Sequence, residues 1–305
     1  VRKADVQVRV IDLDGVGDQA PIAARNPVVV SARDLAPRLR LWAGRRALAE
    51  LATRIDGSKG SGVTPSVTFL GSGDFHNVAP LLIARAQGPV TVVHVDNHPD
   101  WTRLAPRGHC GAWVNRALEL PRVLKVITIG PTSCDLDHPD LRGGAFEALR
   151  AGRIEIFAWS RRPSRIIRRL TDGPGHRVRN GKVVWRCVGD EDWTEVCRDL
   201  IDRVPPHAKV WFSIDKDALG PQDAATNWDQ GLMPLDALTD LIAALGRARR
   251  IAGADICGDW SAPAYDTVLK AWEARLDQPR TPPGDLSTNA RTNARLLDVF
   301  AEVMA

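Results

Sequence analysis

Apolar positions along the chain fall into two registers. Mostly continuous β-branched runs occur at 6–13 (VQVRVIDL), 66–70 (SVTFL), 90–95 (VTVVHV), 123–129 (VLKVITI), 153–158 (RIEIFA), 208–214 (AKVWFSI) and 251–257 (IAGADIC), as in strands covered on both faces. Between them, residues 34–55 carry Leu48, Leu51 and Ile55 at helical spacing, and 78–87, 111–119, 192–203, 234–250, 266–276 and 289–304 also read as helices. The alternation predicts an α/β fold of three layers, α/β/α, around a mostly parallel sheet. Turn residues around a short Val-rich run predict a hairpin excursion at 171–190. Residues 57–65 and 277–288 read as loops, and neither divides the alternation, so residues 1–305 are expected to form a single domain.

Composition narrows the class. A chain of 305 residues can bury about 75% of the surface it exposes when unfolded, so neither a disulfide nor a metal is needed for folding. Charge is mixed, 41 Lys and Arg against 37 Asp and Glu, without a block of one sign, and no nucleic-acid partner is expected. No run of 18 apolar residues occurs, and the opening VRKADVQVRVIDLDG alternates apolar with charged residues, so neither a membrane span nor a leader is expected. Cys110, Cys134, Cys187, Cys197 and Cys257 are odd in number and far apart, which reads as free thiols in a cytoplasmic protein. The ten tryptophans read as core and pocket wall. Whether the chain forms a homo-oligomer stays open at this level.

In an open parallel sheet, ligands bind outside the carboxyl ends of the strands. Three such ends carry chemistry: GSGDFHN offers Asp74 and His76, DNHPDW offers Asp96, His98 and Asp100, and DKDALG offers Asp215 and Asp217. His94 lies inside its strand, two residues before Asp96. In an extended segment, residues two apart share a side, so Asp96, His98 and Asp100 are expected to converge, as are Asp215 and Asp217. One Asp-x-Asp after a strand is commonly a turn or cap; three ligand-bearing ends together are the signal. Two carboxylates about 4 Å apart repel by about 4 kcal/mol even at an effective dielectric of about 20. Two divalent cations would remove that repulsion. Carboxylates with imidazoles favour manganese or iron over a thiolate-type zinc site, with zinc still open.

These motifs resemble those of the arginase/deacetylase superfamily, specifically its arginase-like, ureohydrolase-type branch. GSGDFH approximates the family's Gly-Gly-Asp-His segment, while DNHPD and SIDKD match its Asp-x-His-x-Asp and Ser-x-Asp-x-Asp segments, across residues 66 to 260. The resemblance implies one manganese held by His76, Asp96, Asp100 and Asp215 and a second held by His98, Asp96, Asp215 and Asp217. It implies a metal-bridging hydroxide that attacks a planar amidine or amide carbon of a small molecule, cleaving a non-peptide C–N bond. Asp100 would orient that hydroxide, and His109, in RGHCG, is placed like the family's proton-shuttling histidine. Asn227, Trp228 and Asp229, in TNWDQG, correspond to a loop on the substrate side.

The chain departs from the family pattern twice. Phe75 stands between Asp74 and His76, which calls for a displaced His76 or a local bulge. The family's guanidinium-binding glutamate would follow the seventh strand, where GADICGDWSAPAYD places Gly258 or Trp260 and leaves Asp259 as the nearby carboxylate for substrate. A guanidinium needs a carboxylate opposite it, so a different amidine, amide or formamide is expected. A mononuclear zinc deacetylase-like enzyme using Asp96, His98 and Asp215 is the nearest alternative. Its family partner histidine is replaced by Asn77, and the retained Asp100 and Asp217 favour two ions. Two further alternatives are a metal-binding homologue without turnover, and a phosphatase of the haloacid-dehalogenase type built on Asp12 and Asp14 of VIDLDGVG.

Overall fold

A computed structural model of the chain describes residues 6–58, 65–106, 108–279 and 284–304. Every β-branched run is a strand: β1 Gln7–Asp12, β3 Ser66–Gly71, β4 Val90–Val95, β5 Val123–Ile129, β6 Ile154–Phe157, β10 Lys209–Asp215 and β11 Ile251–Cys257. A short run that the pattern left unassigned adds β2, Val28–Ser31, on the edge beside β1. All eight pair parallel, in the order β2-β1-β3-β11-β10-β4-β5-β6. A separate antiparallel sheet joins β7 (Ser164–Arg165) to the hairpin of β8 (His176–Arg179) and β9 (Lys182–Trp185).

Helices cover both faces of the large sheet. On one side α3 (Arg45–Asp56), α4 (Ala79–Ile83), α5 (Trp113–Leu118) and α6 (Phe146–Arg150) bury Leu51, Ile83, Val114 and Phe146 against Val90, Val92 and Ile156. On the other, α1 (Ala20–Ala23), α7 (Trp193–Arg203), α8 (Leu235–Ala248) and α10 (Ser287–Val303) bury Ile22, Leu200, Leu241 and Phe300 against Val67, Val93 and Phe212. The expected α/β/α layering is therefore present, with central strands buried along their full length. Of the stretches expected to be loops, residues 59–64 and 280–283 lie outside the described residues.

The helix expected over 34–55 is two helices, α2 (Ala36–Leu39) and α3. Leu41 between them is left-handed at φ 62°, and its N–H donates to the Asp74 carbonyl at 3.0 Å. The break thereby carries Arg40 beneath the carboxyl end of β3. The helix before α10, α9 (Val268–Asp277), buries little besides Lys270 and Ala274. Polar bonds hold it: Trp42 Nε1 donates to Glu273 at 2.9 Å, and Lys270 donates to the Pro37 and Arg38 carbonyls at 3.0 Å.

Candidate metal centre

The carboxyl ends of β3, β4, β10 and β11 lie side by side at the middle of the sheet, and their following turns fold over one point. After β3 a 3-10 turn, Gly73–Val78, absorbs the additional Phe75, whose ring enters the core with Arg40 stacked 4.7 Å above it. His76 still reaches the centre. After β4 and β10 the aspartates close tight turns on themselves: Asp96 Oδ1 accepts from the His98 N–H at 2.6 Å and Asp215 Oδ1 from the Asp217 N–H at 3.0 Å. The acidic and imidazole groups thus converge through turns rather than through the alternation of an extended segment. Asp100 completes the set from a left-handed backbone at φ 45°, a sparsely populated conformation for a residue with a Cβ.

Hydrogen bonds fix which ring nitrogen of each histidine faces inward. Trp211 Nε1 and Ser213 Oγ donate to the two oxygens of Asp255 at 2.6 and 2.7 Å, so Ser213 has spent its proton and accepts from His76 Nε2, 2.9 Å away. In the neutral ring His76 Nδ1 therefore carries the lone pair, facing Asp96 Oδ2 at 3.2 Å, Asp100 Oδ2 at 3.4 Å and Asp215 Oδ2 at 3.7 Å. His98 also turns Nδ1 inward, here within hydrogen-bond reach of a carboxylate. Its Nε2 meets Asp229 Oδ1 at 3.0 Å, turning Nδ1 toward Asp217 Oδ2 at 2.9 Å and Asp96 Oδ1 at 3.4 Å. His94 plays a supporting part: Nε2 holds Asp96 Oδ2 at 2.8 Å while Thr128 Oγ1 meets Nδ1 at 3.1 Å. Trp113 Nε1 holds Asp100 Oδ2 at 2.7 Å in the same way. Ligating histidines elsewhere are oriented by such outer partners.

The donors fit two cations. Nitrogen and oxygen ligands about 2.1 Å from one ion stand about 3.0 Å apart at a right angle and about 3.4 Å apart at a tetrahedral one. The separations from His76 Nδ1 to Asp96 and Asp100, 3.2 and 3.4 Å, and from His98 Nδ1, 2.9 to 3.4 Å, are close to such edges, and Asp215 stands slightly wider at 3.7 Å. Among the described residues, three groups have ligand atoms mutually within 4.8 Å: His76, His94, Asp96 and Asp100; His76, Asp215 and Cys257; Asp96, His98 and Asp217.

Without a cation the cluster is electrostatically divided. Burial disfavours the His76 and His98 imidazolium forms, yet Asp100 and Asp96 for the first, and Asp217 and Asp229 for the second, hold both well above their ordinary pKa. Burial and the Asp96 charge push Asp100 and Asp215 up to about 6. Burial with Asp215 and Asp96 raises Asp217 well above its usual range. Burial is also overcome at Asp96, where His94, His76 and His98 keep the pKa well below its ordinary value.

The linkage signs follow. Raised histidines contribute stability below pH 6.5 that is lost as pH climbs through their folded values, and raised aspartates add a penalty between pH 3.8 and about 6. The cation-free protein is expected to lose thermal stability from about pH 5 to pH 8, whereas the loaded protein, whose ligands must be deprotonated, gains it. Thermal melts in chelator and in excess cation across that window test this, and parallel curves would contradict it.

A cavity of about 440 Å³ opens outward from the centre, lined by Asp96, His98, Asp100, Asp215 and Asp217 at its floor. His109, Trp228 and Asp229 form part of its wall. His109 Nδ1 accepts the Gly111 N–H at 2.9 Å, so its proton sits on Nε2, facing Glu273 Oε1 at 2.9 Å. That contact with His109 holds the Glu273 pKa below its usual range. Asn227 sits behind the wall, bonded to Ser72 Oγ and the Ser261 backbone. Asp259 points elsewhere, to Lys216 Nζ at 2.8 Å and Gln19 Nε2 at 2.8 Å. At Gly258, φ is +90° and an added Cβ would stand 2.4 Å from Asp215 Oδ1. No side chain fits there, let alone a glutamate. Sequence reasoning assigned no role to Glu273, Trp113, Ser213, Asp255 or Cys257; the i−2 spacing of His94 from Asp96 was the one available hint.

Comparison with solved structures places the fold. Proclavaminate amidino hydrolase from Streptomyces clavuligerus superposes with a TM-score of 0.59 at 16% identity, covering 98% of this chain and 92% of that one. Arginase from Bacillus subtilis gives 0.58 at 15% identity over 96% and 98% of the two chains. Agmatine ureohydrolase of Thermoplasma volcanium gives 0.53 at 16% identity over 99% and 90%. In sequence, an uncharacterized protein of Thermotoga maritima is 26% identical over 193 residues, 63% of this chain; the match spans 58% of that protein's length. No family model matches the chain.

Proposed function

We propose that this chain, which has the arginase-type fold, is a binuclear metal-dependent hydrolase of non-peptide C–N bonds in a small molecule. One observation carries the reading: two inward-facing imidazole nitrogens, His76 Nδ1 and His98 Nδ1, each on a ring held by an outer hydrogen bond, share a buried space with Asp96, Asp100, Asp215 and Asp217. The inner ion would be held by His76, Asp96, Asp100 and Asp215, the outer by His98, Asp96, Asp215 and Asp217. When bound, the ions lower the pKa of water and polarise the scissile group. Asp100 sits at the cavity floor with Oδ2 taken by Trp113, leaving Oδ1 to orient the attacking water. His109, with its proton directed at Glu273, is poised to pass a proton toward a departing amine. Trp228 and Asp229 bound the substrate, and Asp229 also holds His98.

Amides, formamides and formimino compounds are favoured over guanidinium compounds because Gly258, where the family's guanidinium-binding glutamate would stand, admits no side chain. Five unpaired thiols suit a cytoplasmic location, and among the described residues no helix is long and apolar enough to cross a membrane. The test is a panel of guanidino, formimino and acylated amines with manganese or zinc, followed by amine and ammonia release. Turnover of a panel member, abolished by Asp215→Asn, supports the proposal. Two bound ions with no turnover of any member would point to a metal-binding homologue.

A further inference from the structure

We propose that Cys257 is a sulfur ligand to the inner ion, which makes the two positions chemically unequal and directs a thiophilic divalent cation, such as zinc or cobalt(II), to the inner one. This rests on the binuclear reading above but adds a ligand that the metal-binding motifs do not contain.

Cys257 is the last residue of β11 and is completely buried. The register of β11 against β3 shifts between Ile256 and Cys257, so that Cys257 faces Gly71 at the start of the turn leading to His76. Such an irregularity re-aims a side chain at a strand end. Cys257 Sγ lies 3.3 Å from Asp215 Oδ2, the same oxygen that stands 3.7 Å from His76 Nδ1. A sulfur about 2.3 Å and an oxygen about 2.1 Å from one ion are about 3.1 Å apart at a right angle and about 3.6 Å apart at a tetrahedral one. The observed spacing falls between the two. Independently, His76 Nδ1 is fully buried, has no hydrogen-bond partner and belongs to the same cluster, with all three ligand atoms within 4.8 Å. Gly258 follows in the left-handed region against the Lys216 backbone, which fixes the chain just beyond the thiol.

Carboxylates and one imidazole alone suit manganese; a thiolate shifts preference toward zinc and cobalt(II). On coordination the S–H bond breaks, the metal–sulfur bond forms and the proton leaves to solvent. The outer group, His98 with Asp96 and Asp217, has no sulfur and stays an oxygen-rich position.

X-ray absorption on the chelator-stripped full chain reloaded with two equivalents of zinc reads the assignment directly. The expected result is a sulfur scatterer at about 2.3 Å in the wild type that disappears in Cys257→Ser. In the same variant, zinc preference over manganese falls about tenfold or more. Cobalt(II) loading gives a thiolate charge-transfer band that is lost in parallel. Two bound zinc ions with only nitrogen and oxygen neighbours in the wild type would overturn the sulfur ligand and leave the binuclear reading standing. Sulfur scattering that persists in Cys257→Ser, from Cys110 or Cys134 at the cavity wall, would also overturn it. Retention of no zinc at all would remove both.

Discussion

Resupplying a divalent cation to the stripped protein is expected to raise its Tm by about 6 °C for each ion bound at a thousandfold excess over its Kd. Binding only the folded state at that excess contributes about 4.1 kcal/mol. An unfolding entropy of about 2.1 cal/mol/K per residue gives about 0.64 kcal/mol/K for a chain of 305 residues. Asp96→Asn is expected to remove most of this shift, because Asp96 approaches both inward nitrogens, at 3.2 Å from His76 and 3.4 Å from His98. The stripped variant should be less stable than the stripped wild type, because three imidazoles hold the Asp96 charge well below its ordinary pKa and that stabilisation leaves with it. Turnover on any active substrate should fall by about a thousandfold or more, equivalent to about 4 kcal/mol. Scanning fluorimetry with metal analysis checks the first two, and an activity assay checks the third. A wild-type Tm indifferent to cations would be incompatible with a metal centre.

The second large effect lies beneath the site. Arg40 and Asp74 form an ion pair at 2.6 Å between side chains exposed by 2% and 0%. Asp74 also accepts from Trp228 Nε1 at 3.0 Å and Gln278 Nε2 at 2.6 Å, tying the cavity wall and the end of α9 to the same carboxylate. Arg40→Met leaves that carboxylate buried without its cation, and such half-deleted pairs cost about 3–5 kcal/mol. With the same unfolding entropy, this is a Tm loss of about 5–8 °C. The double variant Arg40→Met, Asp74→Asn should recover much of it, because both charges then leave together. Urea unfolding of the four proteins measures the coupling, and additive losses would show the pair to be unimportant.

Much of this was legible in the chain. Seven strands and the layered class follow from continuous apolar runs, because strands covered on both faces carry no polar alternation to blur the signal. His76, Asp96, His98, Asp100, Asp215 and Asp217 could be picked out because strand ends are where an open parallel sheet binds ligands. The route by which they converge was not legible: alternation in an extended segment was expected, and the aspartates instead close turns on their own backbone. Cys257 was hidden by its type, a small buried thiol ending an apolar strand, where packing alone would explain it. Glu273 was hidden by distance, since nothing local links it to His109, 164 residues away. The single helix expected over 34–55 missed the break at Leu41, because a left-handed leucine held by a tertiary bond leaves no mark in the sequence.

The strand order has a consequence for how the molecule comes into being. β10 and β11 insert between β3 and β4, so the two middle ribbons of the sheet are the last two to leave the ribosome. Until residue 257 has emerged, the growing polypeptide carries two bare sheet edges at its heart, β3 on one flank and β4 on the other, each a template for mispairing. Inorganic ions cannot gather the fragments early, because His76 and Asp96 face an open gap until the β10 and β11 ribbons close it. On the binuclear reading proposed above, uptake of the cation pair would therefore report completed assembly.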